Sequence, residues 1–259
     1  MIDTHCHIDF EDFDNDRTEV IKRAKEKLDC VIVSGYSNSS NMKVLELSKD
    51  YENFIYPTFG FHPVSSQKST EEDLKTAHEN ILNHQKEIVA IGEVGMDYFY
   101  VTDKALRKRQ QEIFTGFLKL ADECEMPIVM HVRDCEKKAV NIIGEYDNIP
   151  YFVFHCYGGS FKTAKRIMDM DNAYMSFSTM LCYSKQHQDL IEKIDLNYIL
   201  TETDSPYLAM KKENRNEPAN VVNAVYKIAE IKNIDVDTVD EITTENAYRI
   251  FSIKCATSI

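Results

Sequence analysis

Short apolar runs alternate with segments of helical periodicity along the whole chain, and this alternation limits the possible folds most strongly. Eight runs have the length and composition of buried strands, at 1–5, 30–35, 54–60, 88–95, 127–132, 151–156, 173–178 and 198–204. The clearest helical segment is 104–125, in which apolar side chains recur at three- and four-residue spacing. The other predicted helices cover 17–28, 40–50, 70–85, 136–145, 161–170, 184–194 and 217–231.

Strands that are apolar along nearly their whole length are typical of parallel sheets covered by helices. Eight strand–helix repeats favour a closed (β/α)8 barrel, the TIM barrel, over an open doubly wound sheet. The open alternative usually carries a glycine-rich turn after the first strand, whereas here that strand runs directly into THCHIDFED. We therefore predict an α/β protein with one TIM-barrel domain over residues 1–259.

The composition of the chain argues against one functional class, proteins that bind long nucleic acid through a basic surface. The chain has 259 residues, 43% of them hydrophobic, and a formal net charge of −13. A general electrostatic grip on long nucleic acid depends on many Lys and Arg contacts to phosphate, so it is not expected here. Local contact with a nucleic acid remains open if bound cations supply positive charge.

Cysteine usage and the start of the chain indicate a compartment. The seven cysteines are an odd number and form no CxxC motif, which favours a reduced chain over a disulfide framework. The sequence begins without the pattern of a signal peptide, and no apolar run is long enough to span a membrane. We expect a cytoplasmic protein, or a nuclear one if the source is eukaryotic, with no membrane partner.

Polar residues gather where the predicted strands end, which is where TIM-barrel enzymes place their active sites. In strand order these residues are His5, His7, His62, Glu93, His131, Arg133, His155, Glu202 and Asp204. A lone histidine at a strand end is commonly a hydrogen-bonded structural group, and Arg133 has a structural alternative, an ion pair with Asp97 or Asp134. A carboxylate inside an apolar run, such as Glu93, is costly without a partner.

Convergence of this many imidazole and carboxyl groups on one rim favours a hydrolytic centre with two cations, since nitrogen and carboxylate ligands from separate strands suit such a site. Asp204 or Glu202 would accept a proton from the attacking water. His5 and His7 are therefore interpreted as ligands rather than packing residues.

Several motifs in order along nearly the whole chain resemble the TatD family of metal-dependent deoxyribonucleases, in the wider amidohydrolase-like superfamily. The motifs are THCHIDF, GFHP, GEVGMDYFY, RQQEIF, MHVRD, HCYGG, TETDSPYL and RNEPANV. The resemblance implies a TIM barrel that uses divalent cations to hydrolyse DNA phosphodiesters. Members often act as 3′→5′ exonucleases in DNA repair or DNA catabolism.

The resemblance also implies a role for each matching residue. One cation would be held by His5, His7 and Asp204, a second by His131 and His155, and Glu93 would bridge the two. Glu202 would take part in metal or water binding, and His62 and Arg133 would face the substrate phosphate. Val64, Val132 and Cys135 depart from common family residues, which leaves substrate preference open.

We predict a deoxyribonuclease that uses two divalent cations, Mg²⁺ in the cell with Mn²⁺ or Zn²⁺ as alternatives. It would act on single-stranded DNA or strand ends as a monomer. The alternatives are hydrolysis of RNA, another phosphoester or an amide, and a non-catalytic scaffold, which the complete ligand set disfavours. Tyr98, Phe99 and Tyr100 would either stack bases near the site or pack against the following helix.

Overall fold

A computed structural model describes residues 1–211 and 213–253, and each of the eight predicted apolar runs overlaps a strand. The strands are β1 Ile2–Cys6, β2 Cys30–Ser34, β3 Ile55–Phe59, β4 Ala90–Asp97, β5 Ile128–Arg133, β6 Phe152–His155, β7 Ala173–Phe177 and β8 Ile199–Thr201. Every residue of β1, β2 and β4 is buried, as expected for strands covered on both faces.

Helices follow the strands in alternation. They are α1 Arg17–Lys25, α2 Asn38–Asp50, α3 Pro63–Ser66, α4 Glu71–Asn83, α5 Lys104–Cys124, α6 Glu136–Ile143, α7 Phe161–Met168, α8 Lys185–Lys193, α9 Val221–Lys232 and α10 Val236–Phe251. None of these helices is both long and apolar enough to cross a membrane, within the part of the chain that is described.

The strand order in the sheet follows the chain, from β1 to β8. Neighbouring strands pair in parallel, and in the pair of β5 and β6 His131 lies beside His155. The first and last strands are also neighbours, since the Thr4 hydroxyl donates to the Thr201 carbonyl at 2.9 Å and the amide of Asp204 donates to the His5 carbonyl at 2.9 Å. The prediction of a TIM barrel is confirmed.

The described chain divides into two compact units. One unit contains Met1–Val33, Leu47–Tyr56 and the described residues from Met175 onward, and it carries β1, β8 and helices α1 and α8 to α10. The other contains Ser34–Glu46 and Pro57–Tyr174, with β4 to β6 and helices α3 to α7. That residues 1–259 form one domain stays a prediction.

The helix α10 was missed by the periodicity argument. Its buried face includes the polar residues Thr243 and Asn246 beside Val239, Ala247 and Ile250, which obscures an apolar stripe. Asn246 is buried because its amide donates to the carbonyls of Leu196 (3.3 Å) and Ile199 (3.0 Å), where β8 begins. A tertiary contact therefore explains why Asn246 is buried, and the sequence pattern does not show that contact.

The described cysteines, six in number, are free thiols, and three of them are buried. The seventh, Cys255, lies outside the described residues.

Candidate active site

The first unit brings together His5, His7 and Asp204, which we call the first ligand group. His5 and His7 are two residues apart at the end of β1, so both side chains point to the same face. Their Nε2 atoms lie 3.2 Å apart, and Asp204 Oδ1 lies 3.8 Å from His5 Nε2 and 3.6 Å from His7 Nε2. Both imidazoles are buried, and the ring of Phe10 stacks on His7.

A buried carboxylate holds this group in place. Asp3 accepts hydrogen bonds from the amide of Thr203 at 2.9 Å and from its hydroxyl at 2.6 Å, and the amide of His5 points at the same carboxylate at 3.3 Å. Burial is the largest influence on Asp3 and raises the pKa of its carboxyl well above the ordinary value, although these hydrogen bonds oppose the rise. Asp3 therefore ties the residue before Asp204 to the strand that carries His5.

Asp204 itself has a left-handed backbone, with φ of 55°. Asp and Asn adopt this conformation more readily than other residues with a side chain. Glu202, two residues earlier, is fully buried and accepts a hydrogen bond of 2.5 Å from the hydroxyl of Ser176.

The second unit brings three imidazoles together around one carboxylate oxygen of Glu93, and we call Glu93, His62, His131 and His155 the second ligand group. Glu93 Oε1 lies 2.8 Å from His131 Nδ1, 3.3 Å from His155 Nε2 and 3.6 Å from His62 Nε2. Ligand atoms of His62, Glu93 and His131 all lie within 4.8 Å of one another. Two ligand atoms that are each about 2.1 Å from one cation are about 3 to 3.5 Å apart. The distances of His131 and His155 from Glu93 Oε1 are close to this separation, so these three residues fit a divalent cation.

Glycine makes the close approach around Glu93 possible. A Cβ on Gly60, just after β3, would lie 2.4 Å from the amide nitrogen of Glu93, and a Cβ on Gly95 would lie 2.0 Å from the carbonyl oxygen of His131. Gly95 also has φ of 146°, a conformation that favours glycine. Larger residues at either position would push β3 or β5 away from β4, and with them His62 or His131.

Asp97 lies behind His131. His131 Nε2 is 3.1 Å from Asp97 Oδ2, while Nδ1 faces Glu93. Metal-binding histidines usually donate their second ring N–H to a carboxylate or carbonyl, which fixes the tautomer and the ring orientation. Asp97 is placed to accept a hydrogen bond from the N–H at Nε2, which leaves Nδ1 free to bind a cation.

The imidazoles and carboxylates of this group shift one another's pKa values. Burial alone raises the pKa of the Glu93 carboxyl, but the imidazoles of His62, His131 and His155 outweigh burial and hold that pKa well below its ordinary value. Burial lowers the pKa of His131, and the Asp97 and Glu93 carboxylates more than offset it, so the net shift is upward. Glu93 is therefore an anion at neutral pH, as a metal ligand must be.

Arg133 lies outside both ligand groups, and His62 differs from the other imidazoles of the second group. Arg133, two residues beyond His131, is exposed, and its guanidinium lies over the rings of Phe99 and Tyr100. The charge of Arg133 is one of the influences that lower the pKa of Asp97, after burial, which raises it, and the hydrogen bonds from His131 and Tyr100. His62 accepts a hydrogen bond at Nδ1 from the amide of Val64 (3.2 Å), which places a proton on the Nε2 that faces Glu93 when the ring is neutral.

Comparison with known proteins decides the family. A family model described as "TatD related DNase" matches residues 2–252. The chain belongs to the TatD-related DNase family. As a TatD-family protein it is a metal-dependent hydrolase, and its buried histidines and carboxylates are groups able to bind metal.

TatD-type relatives cover nearly all of the chain. An uncharacterized metal-dependent hydrolase of Methanocaldococcus jannaschii is 41% identical over 250 residues, which span 96% of each chain. The human deoxyribonuclease TATDN3 is 31% identical, with 97% of this chain and 94% of that one covered. A crystal structure of YJJV, the TatD homologue from Escherichia coli, has a TM-score of 0.91, 26% sequence identity and 98% coverage of both chains.

Sequence reasoning overlooked two residues of this TatD-type site. Asp97 was considered only as an ion-pair partner of Arg133, and Asp3 was not singled out. Asp97 ends β4, the strand that carries Glu93, so the strand-end search would have included it. Asp3 lies inside β1, two residues before His5, and is suggested only by sharing a face with His5 and His7. Their partners, however, are visible only in the folded chain. The assigned roles of the predicted ligands and of Glu202, His62 and Arg133 stay predictions.

Proposed function

We propose that this protein is a deoxyribonuclease that uses divalent cations to hydrolyse DNA phosphodiester bonds, as a 3′→5′ exonuclease on single strands or strand ends. One observation carries most weight. Three imidazoles surround Glu93 Oε1. Asp97 lies within hydrogen-bond distance of the ring nitrogen of His131 that points away from Glu93, and such a carboxylate–histidine pair is typical of metal sites. The human relative named deoxyribonuclease TATDN3 supports DNA as the substrate.

In this proposal His5, His7 and Asp204 would hold one divalent cation, and Glu93, His131 and His155 would hold a second. Bound cations of this kind supply an activated water at neutral pH and offset negative charge on the phosphoryl oxygens. The donor set of imidazole and carboxylate accepts Mg²⁺, Mn²⁺ or Zn²⁺, and Mg²⁺ is the cation that we propose for the cell.

The chain's own residues account for the remaining steps. Asp204 or Glu202 accepts the proton of the attacking water, since both are carboxylates at the end of β8. His62, with its proton at Nε2, and Arg133, with its planar guanidinium, orient the scissile phosphate. We also propose that the protein acts as a monomer. A cytoplasmic location, expected from the cysteine usage, and roles in DNA repair or DNA catabolism, implied by the resemblance, stay predictions.

The test uses single-stranded oligonucleotides labelled at either end. After removal of metal with EDTA the protein should be inactive, and added Mg²⁺ or Mn²⁺ should restore stepwise shortening from the 3′ end. Glu93→Gln keeps the side-chain shape but removes the charge, and it should lower the rate by at least about 10²-fold. Glu112→Gln, on the exposed face of α5, is the matched control and should retain full activity.

Thermal unfolding of both variants separates a folding defect from a chemical one. Full activity of a folded Glu93→Gln variant would remove Glu93 from the mechanism. A metal-dependent protein that leaves DNA intact but cleaves RNA, a small phosphoester or an amide would support the alternative hydrolase, and absence of any metal-dependent hydrolysis would support the scaffold.

A further inference from the structure

Two large aromatic side chains are exposed in the turn between β4 and α5, residues 98–103. Phe99 is 51% exposed and Tyr100 is 67% exposed. Their ring centroids lie 5.0 Å apart at an interplanar angle of 85°, so each ring presents a face that its neighbour does not cover. Exposed aromatic rings side by side are costly in water and commonly mark a binding surface.

Tyr98 has a different role from the two residues after it. Its ring is half-buried, the guanidinium of Arg107 lies 4.5 Å from its centroid, and Lys138 Nζ donates to its hydroxyl at 3.0 Å. Arg107 also donates to the carbonyls of Tyr98 and Val101, which attaches the turn to α5. Tyr98 thus packs against the following helix, whereas Phe99 and Tyr100 are exposed to solvent.

Arg133 lies against this exposed pair. Its guanidinium carbon is 3.9 Å from the Phe99 ring centroid and 5.1 Å from that of Tyr100. Stacking on an aromatic ring holds a guanidinium in one orientation while its N–H groups remain able to donate at the edge. With Arg107 and Lys138, the turn therefore carries a local cluster of cations in a chain whose net charge is −13.

The turn is tied directly to the second ligand group. Asp97 Oδ1 accepts a hydrogen bond of 2.7 Å from the amide of Tyr100, while Asp97 Oδ2 lies 3.1 Å from His131 Nε2. The amide of Asp97 donates to the side chain of Gln110 in α5 at 3.1 Å. One buried carboxylate therefore sets both the orientation of His131 and the position of the aromatic pair.

We propose that Phe99, Tyr100 and Arg133 form a stacking site for an unpaired nucleobase and its adjoining phosphate, which we call the base platform. Tyr100 stacks on the base, Arg133 binds the phosphate, and Phe99 is a positioning residue for the guanidinium. Stacking suits any unpaired base because each has a π-face, whereas the faces of duplex bases are already covered. This inference rests on the proposed function and explains why that function would favour single strands or frayed ends.

The first experiment detects stacking without relying on hydrolysis. A single-stranded oligonucleotide carries 2-aminopurine at its 3′ end and phosphorothioate linkages against cleavage, and a gel confirms that it stays intact. Because the chain contains no tryptophan, the fluorescence of 2-aminopurine is measured on a low background. Binding to the wild-type protein with Mg²⁺ should quench this fluorescence, since stacking on an aromatic ring quenches it.

Variants of Tyr100 then test whether its ring is the one that stacks on the base. Tyr100→Ala should lose the quenching and weaken binding by about tenfold or more, while Tyr100→Phe, which keeps the ring, should behave as wild type. Tyr226→Ala removes a tyrosine that is similarly exposed, at 55%, from α9 and is the matched control. Absence of quenching by the wild type, or equal quenching by Tyr100→Ala, would overturn the inference.

The positioning role of Phe99 is tested by a double-mutant cycle. Phe99→Leu and Arg133→Gln should each raise KM for an unmodified oligonucleotide, and the double variant should be no weaker than Arg133→Gln alone. Additive losses would show that Phe99 does not act through Arg133 and would contradict its assigned role.

Failure of the proposed function would look different from failure of the base platform. If the protein is not a deoxyribonuclease, no oligonucleotide is cleaved, yet the comparison of quenching by wild type, Tyr100→Ala and Tyr226→Ala still decides whether a base stacks on Tyr100. If cleavage is strong and Tyr100→Ala matches wild type in quenching and KM, only the base platform is wrong.

Discussion

The carboxylate of Asp97 is fully buried and contacts both His131 and the amide of Tyr100. Burial raises the pKa of Asp97, but the hydrogen bonds from His131 and Tyr100 outweigh burial and lower that pKa below its ordinary value. Asp97 is therefore ionised at neutral pH. An anion behind an imidazole increases the ring's basicity and so strengthens the bond that its other nitrogen makes to a cation.

We therefore expect Asp97→Asn to weaken metal binding by about 10- to 100-fold, because the amide keeps the shape of the carboxylate but not its charge. The measurement is a competition titration of the metal-free protein with a fluorescent chelator, which does not depend on hydrolysis. Asp134→Asn, which removes a charge from the exposed end of the same strand as His131, is the control. Equal affinities of the two variants would show that Asp97 does not support the ligand.

Among the elements, the strands could be predicted from sequence because each is a short apolar run, and their ends located most of the candidate site. His5 and His7 show why this worked, since residues two apart on a strand share a face whatever the rest of the fold. The contacts of Asp3 with Thr203 and of Asp97 with His131 could not be predicted, since both join residues brought together only by folding. The close approach of Gly60 to Glu93 depends in the same way on strand register.

The helix α10 was missed for a related reason. Thr243 lies on its buried face but is polar, and its hydroxyl bonds to the carbonyl of Val239 within the same helix at 2.8 Å. Asn246 bonds outward to the residues that begin β8 and accepts a hydrogen bond from Arg249 at 2.7 Å. Periodicity counts such residues as exposed, whereas tertiary hydrogen bonds make them part of the core.

Asn246→Ala should therefore destabilise the protein by about 1–3 kcal/mol, because the carbonyls of Leu196 and Ile199 lose their buried donor. Urea unfolding followed by circular dichroism measures the change. Glu245→Ala alters the neighbouring exposed residue of the same helix, and its effect should stay within about 0.5 kcal/mol. If both variants unfold at the same urea concentration, the amide of Asn246 contributes nothing measurable to stability.

For the whole molecule, the formal net charge of −13 opposes the approach of any polyanion. The field of that charge is screened over about 10 Å at 0.1 M salt. Arg133, the cation of the base platform, by contrast acts on a phosphate at contact. Salt therefore weakens a general repulsion and a local attraction together, and the two effects partly cancel.

This cancellation predicts an unusual salt dependence. A protein that grips nucleic acid through six to ten phosphate contacts loses about 10³- to 10⁵-fold in affinity between 50 and 200 mM salt. Here the loss for a single-stranded oligonucleotide should be less than about tenfold, because one or two phosphate contacts release few counterions. The measurement is 2-aminopurine quenching at saturating Mg²⁺ over a series of KCl concentrations.

Arg133→Gln should flatten this dependence further, by about 0.7 in the slope of log affinity against log salt concentration, since one phosphate contact is lost. Lys185→Gln, which removes an exposed cation paired with Asp189 on α8, should leave the slope unchanged. A wild-type slope as steep as that of a conventional DNA-binding groove would mean that many more cations contact the strand than the base platform provides. The preference for strand ends would then need another cause.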